Sequence, residues 1–145
     1  MDTTWILVAN ASHARLFNLE APDALVLVRE FSHPQSRERA SDLVTDKPGH
    51  YLSDGGKHGN YSPAESPKHQ EMERFAQQLA QELDHQRAAG HYQHLILVAS
   101  PALLGALNSS LDHHVRALVK ATVDKDYVHE RPHELLQHLK SVIPL

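Results

Sequence analysis

The sequence has no cysteine and no long apolar run, and each absence excludes a class of protein. Without cysteine there is no disulfide framework, thiol nucleophile or cysteine zinc site, which fits the cytoplasm. No apolar stretch approaches the roughly 20 residues that cross a bilayer as a helix. The first residues carry Asp2 where a secretion signal needs a basic region, and their apolar run breaks at Asn10. We therefore expect a cytoplasmic protein with no membrane span.

A strong excess of charge of one sign is also missing. The 145 residues contain 14 Lys and Arg against 18 Asp and Glu, a formal charge of −4 when His is neutral. A protein that coats nucleic acid is usually basic, so this balance argues against one. The length and the 41% hydrophobic content are typical of one globular domain. We predict that residues 1–145 form a single domain.

Short apolar stretches predict three strands in the first part of the chain. The predicted strands are residues 5–9, 14–19 and 24–31. Each is rich in residues that favour strands, and the segments between them contain turn-forming residues. Strands joined by turns this short are antiparallel, so we expect a meander.

Helices and strands alternate in the second part of the chain. At Ser66-Pro67 a hydroxyl N-cap precedes a proline at the first helical position, and Gly90 ends the predicted helix. The apolar run at 94–99 predicts a strand covered on both faces of a parallel sheet. The remaining predicted elements are a helix from Pro101, a helical turn within 111–117, a strand at 118–124 and a helix from Pro132 with Leu135, Leu136, Leu139 and Val142 inward. The order βββαβαβα indicates the α/β class, with a mixed five-stranded sheet and helices on its faces.

A polar loop of roughly residues 32–66 separates the third strand from the first long helix. Loops beyond about 12–15 residues are uncommon in compact domains and are usually functional or disordered. Charges of both signs nearly cancel in this loop, so it is not a basic arm. It contains Asp54-Gly55-Gly56-Lys57, a glycine hinge that carries one cation. We predict that the function resides in this loop.

Two motif matches fail on physical grounds. The run from His129 to His133 matches H-E-x-x-H, but Pro132 belongs at a helix start, so the two histidines cannot share one continuous helix. The glycines before Lys57 do not form a phosphate-binding P-loop. That motif needs glycine and Ser or Thr where this chain has Tyr51 and His58. A zinc protease and a P-loop nucleotide site are therefore excluded.

Metal chemistry has two further candidates. His113-His114 lies beside Asp112, but adjacent residues on a helix point about 100° apart and rarely hold one ion. A meander followed by a helix and a parallel strand is also typical of ribonuclease H-like nucleases, which hold two metal ions with clustered carboxylates. The first strand offers only Asn10 near its end. We predict no metal, no cofactor and no nuclease activity.

Five stretches, taken in order, resemble the bacterial host attachment protein family, whose members are described as required for attachment to host cells. They are VANASHARLF (8–17), TDKPGHYLSDGG (45–56), ERFAQQLAQEL (73–83), LILVASPALLGALN (95–108) and VDKD (123–126). That family is similar to the central domain of archaeo-eukaryotic release factors. The resemblance implies a ribonuclease H-like βββαβαβα core, in agreement with the predicted order of elements.

Release factors carry a Gly-Gly-Gln tripeptide in the loop before the first long helix, and it promotes peptidyl-tRNA hydrolysis on the ribosome. The corresponding residues here are Gly55-Gly56-Lys57. Lysine contacts phosphate as a point charge but lacks the paired donor and acceptor of an amide. This chain also has Ala102 where relatives tend to carry arginine, and Tyr127-Val128 where they carry leucine and threonine.

The resemblance implies a non-enzymatic binding module that presents its loop to the ribosome or to structured RNA. Two alternatives stay open: a factor for host-cell attachment or surface interaction, and a hydrolase of peptidyl-tRNA or a similar ester. The residues predicted to contact RNA or the ribosome are Arg15, Arg37, Arg39, Lys47, Asp54, Gly55, Gly56, Lys57 and Tyr61.

Overall fold

The computed structural model describes residues 2–20, 23–33 and 66–145. Its elements are β1 (Thr4–Ala9), β2 (His13–Glu20), β3 (Ala24–Ser32), α1 (Pro67–Ala88), β4 (His94–Ala99), α2 (Pro101–Ser110), α3 (His113–Arg116), β5 (Val119–Val123) and α4 (Pro132–Lys140). The predicted order of elements is confirmed, and the predicted helical turn before β5 is the single turn α3. No helix in the described ranges is both long and apolar enough to cross a membrane.

The strands form one open sheet in the order β3-β2-β1-β4-β5. Neighbouring strands of the β1–β2–β3 meander are antiparallel, whereas β4 runs parallel to both β1 and β5. The mixed five-stranded sheet, the meander and the parallel arrangement are thus confirmed. The more specific ribonuclease H-like topology stays a prediction.

Alternate residues of the central strand point to opposite faces of the sheet and build two hydrophobic clusters. Leu7 belongs to the cluster covered by α1 and α2, whereas Ile6 and Val8 belong to the cluster covered by α4. On β2, Leu16 and Phe17 divide between the clusters in the same way. Both faces of the sheet are therefore covered by helices.

The ends of the helices mostly follow the predicted signals. The Ser66 hydroxyl accepts a hydrogen bond from the backbone N–H of His69, and Gly90 adopts the left-handed φ of +79° just after α1. The prediction that Val142 lies on the inner face of the last helix is wrong. That helix ends at Lys140, and the Val142 side chain is 60% exposed.

The parallel strands β1, β4 and β5 all end at one edge of the sheet, here named the carboxyl edge. Because β2 and β3 alternate in direction, the first residue of β2 and the last residue of β3 lie there too. The chain leaves this edge at His33, whose backbone N–H donates to the Ser12 carbonyl at 2.7 Å. The start of α1 lies at the same edge, because Glu71 in its first turns contacts the His33 side chain.

Candidate functional site at the carboxyl edge

A cleft of about 390 Å³ opens at the carboxyl edge between the β2–β3 pair and the segment that follows β5. Its volume lies in the range of small-ligand pockets. Both polar and aromatic side chains contribute to its walls. The lining residues are His13, Ala14, Arg15, Glu30, Phe31, Ser32, Val128 and His129.

Arg15 is the most constrained charged side chain of the cleft. It lies on the β2 face that packs towards α4, and its Nη1 donates to the carbonyls of Val128 at 3.1 Å and Glu130 at 2.7 Å. Its guanidinium carbon lies 4.9 Å from the centre of the Phe17 ring, a cation–π contact. Arg15 therefore holds the segment after β5 against the sheet.

Asn10 connects the same segment to the end of β1. Its side-chain oxygen accepts the backbone N–H groups of Ser12 and His13, each at 2.9 Å, and so shapes the turn between β1 and β2. Its amide nitrogen donates to an oxygen of Asp126 at 3.1 Å, across 116 residues of sequence. Two residues that each follow a strand at the carboxyl edge therefore meet there.

Glu71 is a buried carboxylate beside the cleft region, where β3 gives way to the 34–65 segment. The Glu71 side chain is 3% exposed and accepts from His33 Nε2 at 3.0 Å and from Arg74 Nη1 at 2.6 Å. The His33 ring stacks on Phe75, with ring centres 5.3 Å apart. Sequence reasoning missed Glu71, although its spacing of four from Phe75 places it on the apolar face of α1.

The metal candidates have ordinary structural roles. His129 precedes α4, which begins at Pro132, so the H-E-x-x-H match does not lie on one helix, as predicted. Asp112, His113 and His114 bring their ligand atoms within 4.8 Å of one another. However, Asp112 is the N-cap of α3, and the backbone N–H that His114 donates to it holds the pKa of this carboxyl below its usual value. The Asp112 carboxylate is thus already used as a helix cap.

Among the predicted RNA-contacting residues, Arg15 lies in the described part of the chain and lines the cleft. The others lie outside the described residues; they are Arg37, Arg39, Lys47, Asp54, Gly55, Gly56, Lys57 and Tyr61. The structure adds Asn10, Asp126 and Glu71 to the residues that shape this edge. The sequence signal for the first two was their position within two residues of the end of a predicted strand.

The fold and the site together define an α/β domain with a mixed sheet and a polar cleft at the carboxyl edge. The family described as "Protein required for attachment to host cells" matches residues 5–139. The match covers nearly the whole chain, and the protein belongs to this host attachment family. No curated protein matches the chain significantly. The relation to release factors stays a prediction.

Proposed function

We propose that this member of the host attachment family is a non-enzymatic binding module that contacts structured RNA, the ribosome included, from its carboxyl edge. The observation that carries the proposal is the contact of His33 with Glu71 at 3.0 Å, which brings the residue before the 34–65 segment and the helix after it together at that edge. Ligands of open α/β sheets bind outside the carboxyl ends of the strands. Binding residues are also commonly carried by connecting segments on a rigid scaffold.

The choice of RNA as the partner rests on the sequence of the 34–65 segment. Arg37, Arg39, Lys47 and Lys57 supply cations for phosphate groups, and Tyr61 supplies a ring on which a base can stack. In the resemblance to release factors, Lys57 corresponds to their glutamine. A point charge at that position favours a phosphate contact over peptide release.

Co-sedimentation with ribosomes and with a structured RNA at low and high salt tests the proposal. The wild type should bind at low salt and lose affinity steeply as salt rises, because phosphate contacts release counterions. Lys57→Ala should weaken binding several-fold and flatten the salt dependence. Lys120→Ala is the matched control, since Lys120 is an exposed lysine near the opposite end of β5. If the wild type binds neither ribosomes nor the structured RNA at low salt, the proposal is overturned.

Direct host attachment is the second candidate, and the description of the family favours it. It requires the protein to reach the cell surface. Labelling intact cells with a membrane-impermeant reagent tests this point, with a known cytosolic protein as the internal control. If this protein is labelled while the cytosolic control protein stays unlabelled, the result would favour attachment over RNA binding.

A further inference from the structure

The guanidinium of Arg15 has one hydrogen-bonding edge occupied and one edge without an acceptor. Nη1, on the Cδ side of the group, donates to the carbonyls of Val128 and Glu130. Nε and Nη2 form the opposite edge, which is the side-on fork that matches the two oxygens of a carboxylate or phosphate. Within the described residues, Nε is buried without an acceptor and Nη2 donates no hydrogen bond.

A buried N–H group without an acceptor is rare in folded proteins and calls for an explanation. The nearest acidic group, Glu30, does not provide one. The register of β2 and β3 places Glu30 opposite Arg15, yet its Oε2 lies 3.8 Å from Nε, beyond hydrogen-bonding distance. The Glu30 side chain is 62% exposed, against 19% for Arg15. Glu30 therefore balances the charge of the guanidinium without filling its fork, and it can move aside.

Two imidazoles line the same cleft as Arg15. His13 at the start of β2 and His129 before α4 both line the cleft, and their ring centres are 6.1 Å apart. An imidazole donates through one ring nitrogen when neutral and through both when protonated. The cleft thus offers a bidentate cationic donor and two further donors within a volume of about 390 Å³.

We propose that this cleft binds the oxyanion group of a small ligand, either a phosphate monoester or a carboxylate. The Nε–Nη2 edge of Arg15 receives two oxygens of the ligand, and His13 and His129 donate to the remaining part of it. The inference goes beyond RNA binding, because it needs no residue of the 34–65 segment. Glu30 competes with the ligand for Arg15, so it lowers the affinity of the cleft for anions.

Titrating the full-length protein with inorganic phosphate and, separately, with acetate tests the inference. The NMR signals of Arg15 Nε and of the His13 and His129 rings report binding, with sodium chloride keeping the ionic strength constant. The wild type should show saturable shifts with at least one probe. Saturation by phosphate alone identifies a phosphate site, and saturation by acetate alone identifies a carboxylate site. If neither phosphate nor acetate shows saturation, the inference is overturned.

Variants separate a binding role of Arg15 from its structural role. Glu30→Gln leaves the Arg15 bonds to the backbone in place and should tighten binding several-fold by removing a competing carboxylate. Arg15→Lys should weaken binding by about tenfold or more, the scale expected for one lost charge-assisted hydrogen bond. Arg29→Lys is the control, since Arg29 lies on the other face of β3 and pairs with Glu82. A Glu30→Gln variant that binds no more tightly than the wild type contradicts the inference.

The experiment also separates this inference from the proposed RNA function. Lys57→Ala should leave the binding of phosphate or acetate unchanged while it weakens RNA binding. Conversely, Glu30→Gln should change anion binding in the presence or absence of RNA. Each proposal can therefore fail while the other stands.

Discussion

The imidazole Nε2 of His33, directly after β3, lies 3.0 Å from a carboxylate oxygen of Glu71 on α1. This contact ties the last described residue before the 34–65 segment to the helix that follows it. Arg74 reaches the other carboxylate oxygen at 2.6 Å from the solvent side. The buried carboxylate of Glu71 is therefore held by one donor that directly follows β3 and one donor on α1, an arrangement whose loss is costly.

Glu71→Gln should lower the free energy of unfolding by about 2 kcal/mol, because the neutral amide loses charge-assisted hydrogen bonds inside the protein. Urea denaturation measures the change. Glu73→Gln is the matched control, since Glu73 is 53% exposed and its ion pair with His69 lies at the surface. That control should change the stability by less than about 0.5 kcal/mol. Equal losses in the two variants would contradict a buried, paired role for Glu71.

Tyr92 should contribute to stability through its hydroxyl group as well as its ring. The hydroxyl donates to the Leu83 carbonyl at 2.7 Å, and the ring stacks on Trp5 with centres 5.1 Å apart. Tyr92→Phe keeps the ring but leaves that carbonyl without this donor, so it should cost about 1 kcal/mol. Thermal unfolding followed by circular dichroism measures the loss. Tyr127→Phe is the control, because its ring stacks on His138 near the surface.

Tyr92 should also make the protein sensitive to alkali. Burial raises the pKa of its phenol well above the ordinary value of 10.0, so the folded state keeps this proton when the unfolded state has lost it. The unfolded state then binds fewer protons, and stability falls as pH rises from about 10 upward. Below that pH the residue adds no pH dependence. Unfolding free energies at rising alkaline pH should decline less steeply in Tyr92→Phe than in the wild type, and parallel declines would refute the assignment.

Arg15→Ala should destabilise the protein by about 2 kcal/mol, because the carbonyls of Val128 and Glu130 lose a charged donor. In Arg15→Ala, amide hydrogen exchange should be faster than in the wild type in the segment between β5 and α4. In β4 it should stay at the wild-type rate. Arg29→Ala, which removes a largely exposed ion pair with Glu82, is the control and should cost less than about 1 kcal/mol. If the exchange rates of that segment stay unchanged in Arg15→Ala, Arg15 does not hold it in place.

Local patterns were sufficient to predict the elements of this fold. The cap at Ser66-Pro67 and the left-handed Gly90 bound α1 because both signals act on neighbouring backbone groups. A local signal also explains why the prediction for Val142 in the last helix is wrong. Pro144 disfavours helical geometry at Ile143, so the helix had to end before it, and Val142 was left exposed.

The features that sequence reasoning missed depend on distant parts of the chain. Asn10 and Asp126 meet only because β1, β4 and β5 run parallel and end together. The burial of Glu71 depends on where His33 leaves the sheet. The orientation of the Arg15 guanidinium is set by the backbone carbonyls of Val128 and Glu130, and neither composition nor spacing specifies such contacts. For the same reason, the sequence alone suggested Arg15 as a cation but not as a component of a cleft.

The position of the 34–65 segment, between His33 and the start of α1 at one edge of the sheet, also bears on how the family can diversify. The described residues on either side of it, His33 and Ser66, are held by contacts within the scaffold, so changes in the length of the segment need not disturb either hydrophobic cluster. The entropic cost of closing a flexible loop grows only logarithmically, by about 0.6 kcal/mol for each doubling of length. Insertions and deletions between His33 and Ser66 should therefore cost little stability, and the sequence there can change while the sheet keeps its register.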